Sequence, residues 1–134
     1  MAKKPTSVND ALKPCPNRPN CVSSLSDAKS RFVEPLRYKG SAKTFRKALM
    51  KLLREMPGNT VKQVKGNYIH VECRSRILRF VDDLELFFDE TESLVHVRSA
   101  SRVGYWDLGA NRRRVTAIRK ALETELSANK TKKK

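Results

Sequence analysis

The chain's apolar and polar positions divide it into a polar opening segment, a patterned centre and a polar end. Residues 1–30 hold few apolar positions and several Pro, Asn and Ser, which predicts an extended N-terminal arm. Residues 31–38 (RFVEPLRY) predict a short first strand, and Pro35 confines it to an edge or a bulge. From Ser41 the period changes. Phe45, Ala48, Leu49, Leu52, Leu53 and Met56 recur at helical spacing. They predict an amphipathic helix with Ser41 as its N-cap and Pro57-Gly58 as its stop. Residues 60–65 and 68–74 predict two strands around Gly66-Asn67, a hairpin signal. Ile69, Val71 and Cys73 share one face; Tyr68, His70, Glu72 and Arg74 share the other, where His70 reads as solvated.

Residues 78–89 predict the longest strand. Leu78, Phe80, Asp82, Leu84, Leu86 and Phe88 lie on one face, so Asp82 stands in the apolar register. A carboxylate there is costly unless it finds a partner. A turn at 90–93 returns the chain along 94–102. Pairing Asp89 with Leu94 sets Leu86 opposite Val97, Leu84 opposite Ser99, Asp82 opposite Ser101 and Glu85 opposite Arg98. A slip of one residue would exchange the two faces. Gly104-Tyr105-Trp106-Asp107 breaks the strand, and a last helix follows over 108–126. Val115, Ile118, Leu122 and Leu126 form its stripe, Asn111 lies one turn before it, and Asp107 is placed to cap it. Residues 127–134 carry four lysines and no acid, which predicts a disordered basic tail.

The expected organisation is an arm (1–30), one α+β domain (31–126) and a tail (127–134). The element order strand, helix, four strands, helix gives an antiparallel sheet packed on two helices, a TBP-like or helix-grip arrangement. Phe45, Leu49, Leu52, Leu84, Leu86, Val97, Ile118 and Leu122 are its expected core.

Charge adds a partner class to this picture. The net charge is +15, from 29 Lys and Arg against 14 Asp and Glu, and suits a polyanionic neighbour. Residues 72–92 hold seven acids against three bases, so the basic excess belongs to the helices and the ends. No apolar run reaches the length of a membrane span, so no transmembrane segment is predicted, and residues 1–14 have no hydrophobic signal core. An odd count of three cysteines fits a reducing compartment, and the expected location is cytoplasmic. Cys15 and Cys21 match no standard zinc knuckle and have no histidine nearby. Two packed thiols in an ordered loop are expected there, with a disulfide or an incomplete metal clip as alternatives.

Three stretches, CPNRPNCVSS (15–24), RFVDDLE (79–85) and VRSASRVGYWDLGANRRR (97–114), carry a resemblance. In that order they resemble the DUF1499 family, over about residues 15–122. The resemblance implies no established reaction, substrate or catalytic residue. It does imply that Asp82, Asp83, Glu85, residues 98–102, Asp107 and residues 111–113 lie within family motifs.

Three function classes remain in play. The first is a non-catalytic domain for a small anionic or amphipathic ligand. Arg98 and Arg102 would fork onto a carboxylate or phosphate, with Ser99, Ser101, Tyr105, Asp107 and Asn111 around them. A purely structural alternative pairs Arg98 with Glu85, and Arg102 or Arg113 with Asp82, Asp83 or Asp107, to tie sheet to helix. The second class is a metal-assisted hydrolase using Asp82, Asp83 and Glu85. Asp82 and Asp83 point to opposite faces, and no nucleophile elbow, phosphate loop or HExxH is present. The third is weak, non-specific nucleic-acid binding through the basic helix, residues 112–114 and the tail, with Tyr68, Tyr105 and Trp106 for stacking. No cofactor and no metal site is expected, and oligomeric state stays open.

Overall fold

A computed structural model describes residues 7–76 and 79–132, with side chains described as far as Ser127. Leu78, expected to open the long strand, lies outside the described residues. So do the first six residues of the arm and the last two lysines of the tail. Among the described residues, six strands form one antiparallel sheet: β1 (Cys21–Ser23), β2 (Leu36–Arg37), β3 (Asn59–Lys65), β4 (Tyr68–Arg74), β5 (Val81–Asp89) and β6 (Leu94–Ser101). Their order is β1-β6-β5-β4-β3, and β2 pairs with β6 beside β1. The helices are α1 (Val8–Ala11), α2 (Ala42–Glu55) and α3 (Ala110–Lys132). The α+β class read from the sequence is the class observed.

One face of the sheet carries the core. Ile69 and Val71 of β4, Leu84, Leu86 and Phe88 of β5, and Val95 and Val97 of β6 are buried against two helices. The α2 helix supplies Phe45, Ala48, Leu49 and Leu53, and α3 supplies Val115, Ile118 and Leu122. Leu52, expected in the core, is only partly buried at its margin. Ser41 caps α2 by accepting from the Thr44 N–H at 3.2 Å. At the other end Gly58 holds φ +83, and a Cβ there would collide with the Arg74 carbonyl, so the turn requires glycine. Asp89 pairs with Leu94 and Leu84 with Ser99, and Asp82 faces Ser101: the hairpin register is the one the apolar pattern dictates.

Four expectations are corrected. Cys15 and Cys21, expected as two packed thiols, form a disulfide, and β1 adds to the edge of β6. The first strand shrinks to Leu36–Arg37, because 29–31 form a short 3-10 helix and Pro35 has no N–H to offer a ladder. Phe80 leaves the buried register and is exposed. Arg79 just before it has φ +57, and Ser75 closes a loop onto the Phe80 backbone, so the ladder begins only at Val81. Finally, α3 continues through Ser127 to Lys132, where a disordered tail was expected, because that stretch contains no Gly or Pro to stop it.

The outer sheet face is also partly covered. The α1 helix lies against β5. Leu12, Cys21, Phe87 and Ala100 are buried although they stand outside the main core cluster. The disulfide thus fastens the arm at the sheet edge, across the face that does not carry α2 and α3.

Candidate functional site

The residues singled out from the sequence separate into two networks, one on each face of the sheet. The inner one joins the end of the core to the start of α3. Asp107 caps that helix, accepting from the Gly109 N–H at 2.7 Å and the Asn111 N–H at 3.1 Å. The Asn111 side chain, fully buried, is the hub. Its amide donates to Asp107 Oδ2 at 2.8 Å, Ser101 Oγ at 3.0 Å and the Asn20 carbonyl at 3.1 Å. Its Oδ1 accepts from Ser99 Oγ at 2.6 Å and from Arg114 at 2.8 Å. Arg114 also reaches Ser99 Oγ at 3.2 Å and closes a salt bridge to Asp82 at 2.9 Å. Asp82 is 7% exposed, so its place in the apolar register is real and its partner is a cation. That partner is Arg114. Arg113, expected in this network, is exposed and donates to the Leu108 carbonyl at 2.6 Å, because it stands one position further round the helix.

The outer network runs across β4, β5 and β6. Arg102 takes Asp83 through two N–H groups at 2.8 Å each and Glu72 at 2.7 Å. His70 Nε2 meets Asp83 Oδ1 at 2.7 Å, so His70 is engaged where a solvated ring was expected. Tyr68 donates to Glu85 at 2.6 Å, and Arg98 reaches the other Glu85 oxygen at 3.3 Å. The Arg102 hydrogen bond is the main influence holding the Asp83 carboxyl below its usual range, and it lowers Glu72 likewise. Tyr68 is pushed up, first by burial and then by its bond to Glu85. Cys73, on the inner side of β4, is pushed up to about 11 by burial, so its thiol is inert at neutral pH.

Tyr105 stands outside both networks, exposed in the loop between β6 and α3. Sequence reasoning gave no role to Asn20 or Ser24 and did not single out Arg114 among residues 112–114 as the partner of Asp82. Ser24 Oγ lies 2.9 Å from His96 Nδ1 and accepts from the Val97 N–H at 2.9 Å. Burial lowers the His96 pKa, and Ser24 itself is buried, so the pair fastens the arm to β6. Their separation in sequence gave no spacing to recognise.

Cavities lie elsewhere. The cleft of about 320 Å³ between the β2 segment and the helices is lined by Leu36, Phe45, Leu122 and Leu126, with Arg37 and Arg119 beside Glu34 and Glu123. Arg119 donates to the Pro35 carbonyl at 3.0 Å and the Glu34 carbonyl at 2.6 Å. A smaller cavity of about 180 Å³ beside the disulfide is bounded by Cys21, Trp106, Asp107 and Arg112. None of Arg98, Ser99, Ser101, Arg102 or Asn111 lines either one.

The family model described as a protein of unknown function, DUF1499, matches residues 11–122. The chain belongs to the DUF1499 family. No curated protein matched it. Both networks of this DUF1499 domain, and the disulfide that pins its arm, fall inside the matched span. Among the described residues, no group of three or more His, Cys, Asp or Glu is arranged to hold a metal ion, and no helix is long and apolar enough to cross a membrane.

Proposed function

We propose that this DUF1499 domain is a non-catalytic binding domain for a small amphipathic anion, held in the cleft between β2, α2 and α3. The observation that carries the reading is the cleft itself. About 320 Å³ with an apolar floor of Leu36, Phe45, Leu122 and Leu126 matches the size and lining of small-molecule sites. Arg37 pairs with Glu34 at 3.9 Å, so the anionic half rests on Arg119. Arg119 spends its N–H groups on neutral carbonyls, so its charge remains available to a headgroup. Of the motif residues first considered as ligand contacts, Ser99, Ser101, Asp107 and Asn111 serve this reading as scaffold that ties α3 to the sheet, while Arg98 and Arg102 are engaged by acids on the outer face.

The same pairing argues against a metal-assisted hydrolase. Asp83 and Glu85 are committed to Arg102 and Arg98, and Asp82 is sealed on the opposite face by Arg114. Non-specific nucleic-acid binding rests on the basic charge and on Tyr68, Tyr105 and Trp106 for stacking, and predicts a steep loss of affinity with salt. An oxidising compartment suits the Cys15–Cys21 disulfide better than the cytoplasm suggested by the cysteine count. The test is titration of the full chain with an environment-sensitive fluorescent fatty-acyl carboxylate. Saturable binding that Leu126→Glu weakens supports the reading. Unsaturable uptake, or uptake indifferent to that substitution, rejects it.

A further inference from the structure

One end of the sheet exposes a set of large apolar side chains. Phe80, Val103, Tyr105, Trp106 and Leu108 are between 52% and 67% exposed. Arg102 donates its N–H to the Val81 carbonyl at 3.2 Å, so Phe80 and Val103 leave the ladder at the same end, and Tyr105, Trp106 and Leu108 follow Val103 in the loop beyond. The loop that carries the rest is fastened at its base. Asn20 donates to the Gly104 carbonyl at 2.7 Å, Asp107 binds the Gly109 N–H, and Arg113 holds the Leu108 carbonyl. Leu108 is kept at φ +57, a left-handed conformation that a leucine rarely adopts. The inner polar network therefore has a second consequence: it holds apolar side chains out into solvent.

Their surroundings are basic. Arg74, Arg76 and Arg79 are exposed at the same end, since Arg74 pairs with Val81 across the ladder. Arg76 and Arg79 pair with no acid among the described residues. Arg112 and Arg113 follow the loop directly, and they line a shallow groove with Thr116, Ala117 and Lys120. Arg112 and Arg113 bond only to carbonyls, so their charge stays unneutralised, and no acid occurs between Asp107 and Glu123. Arg102 is left out of this set because Asp83 and Glu72 neutralise it.

We infer that this end of the sheet is a docking face for an anionic lipid bilayer. Tyr and Trp favour the boundary between headgroups and acyl chains, where an apolar ring and a polar tip are both accommodated. Val103, Leu108 and Phe80 add apolar area that lipid accepts, and the arginines around them match anionic headgroups. Single-stranded nucleic acid also takes aromatic and basic residues, but it gives aliphatic side chains no base to stack on. The inference is independent of the cleft.

Trp106 is the sole tryptophan, so its fluorescence reports on this loop alone. The full chain is mixed with vesicles of phosphatidylcholine, with and without phosphatidylglycerol. With phosphatidylglycerol present, Trp106 emission shifts to shorter wavelength and is quenched by lipids brominated in their acyl chains. Two variants weaken that binding on the order of tenfold or more: Tyr105→Ser with Leu108→Asn, and Arg76→Glu with Arg79→Glu. Asn is used at Leu108 because it tolerates a positive φ. Lys43→Glu with Lys47→Glu changes the charge equally on the exposed side of α2 and leaves binding in place. Three results overturn the inference. They are an unchanged Trp106 spectrum with phosphatidylglycerol vesicles, an equal loss in the α2 variant, or a shift with a single-stranded oligonucleotide and none with vesicles.

Discussion

Replacing Asp82 by alanine probes the junction on which the fold and the exposed loop both depend. The substitution removes the carboxylate that Arg114 meets at 2.9 Å, at a position 7% exposed. Breaking a buried pair from one side costs about 3–5 kcal/mol, because the remaining charge is stranded. Arg114 keeps two neutral acceptors, Ser99 Oγ at 3.2 Å and Asn111 Oδ1 at 2.8 Å, which places the loss at the lower end. The expectation is about 3 kcal/mol, a fall in Tm of roughly 10 °C for a domain of this size. Urea denaturation at neutral pH measures it. Adding Arg114→Met removes the stranded charge, so the double variant recovers about 1–2 kcal/mol relative to the sum of the singles. Arg113→Met, one residue away and exposed, changes stability by less than about 0.5 kcal/mol. A loss under about 0.5 kcal/mol for Asp82→Ala, or strict additivity with Arg114→Met, refutes the reasoning.

Other expectations follow from the same contacts. Leu86→Ala, at a position with no exposure in the middle of β5, costs about 2–5 kcal/mol by denaturant titration; a change below about 0.5 kcal/mol contradicts the assigned face. Without reductant, an alkylating reagent leaves Cys15 and Cys21 unlabelled, and Cys15→Ser costs about 2 kcal/mol; labelling of Cys15 in the unreduced protein would count against the disulfide. Asp83 and Glu72 titrate below their unfolded values, so their contribution is present above about pH 4 and lost as pH falls through the lowered values. Arg102→Met removes that component, and identical acid-denaturation profiles for variant and parent would disprove the coupling. Deleting residues 127–134 leaves Tm unchanged, since among the described residues the last of α3 to pack on the core are Leu122 and the partly buried Leu126; a clear fall in Tm gives that end of the helix a packing role.

Much of this architecture was legible because burial imposes periodicity. The alternation through Leu84, Leu86 and Phe88 against Val95 and Val97 admits one register, and a slip would have turned every one of those side chains to solvent. That register sets Asp82 opposite Ser101 from the apolar pattern alone. Less was legible where pairing depends on distant segments. Cys15 and Cys21 gave a spacing but no sign of whether the backbone would bring them together. Ser24 and His96 meet only because the arm adds β1 to the edge of β6. Telling Arg114 from Arg113 requires the rotation of α3 to within one residue, which the Val115, Ile118 and Leu122 stripe sets. The polar residues of the motif were read as ligand contacts because they are chemically able. The structure instead engages all of them but Tyr105 with protein partners, as buried polar groups generally require.

The claim that the cleft between β2, α2 and α3 is the binding site is tested most directly by mapping amide chemical shifts as a fatty-acyl carboxylate is added to the isotope-labelled chain. The account predicts saturating shifts at Leu36, Arg37, Phe45, Arg119, Leu122 and Leu126, with the inner network unmoved. Shifts centred on Ser99, Ser101, Arg102 and Asn111, or none that saturate, would contradict it.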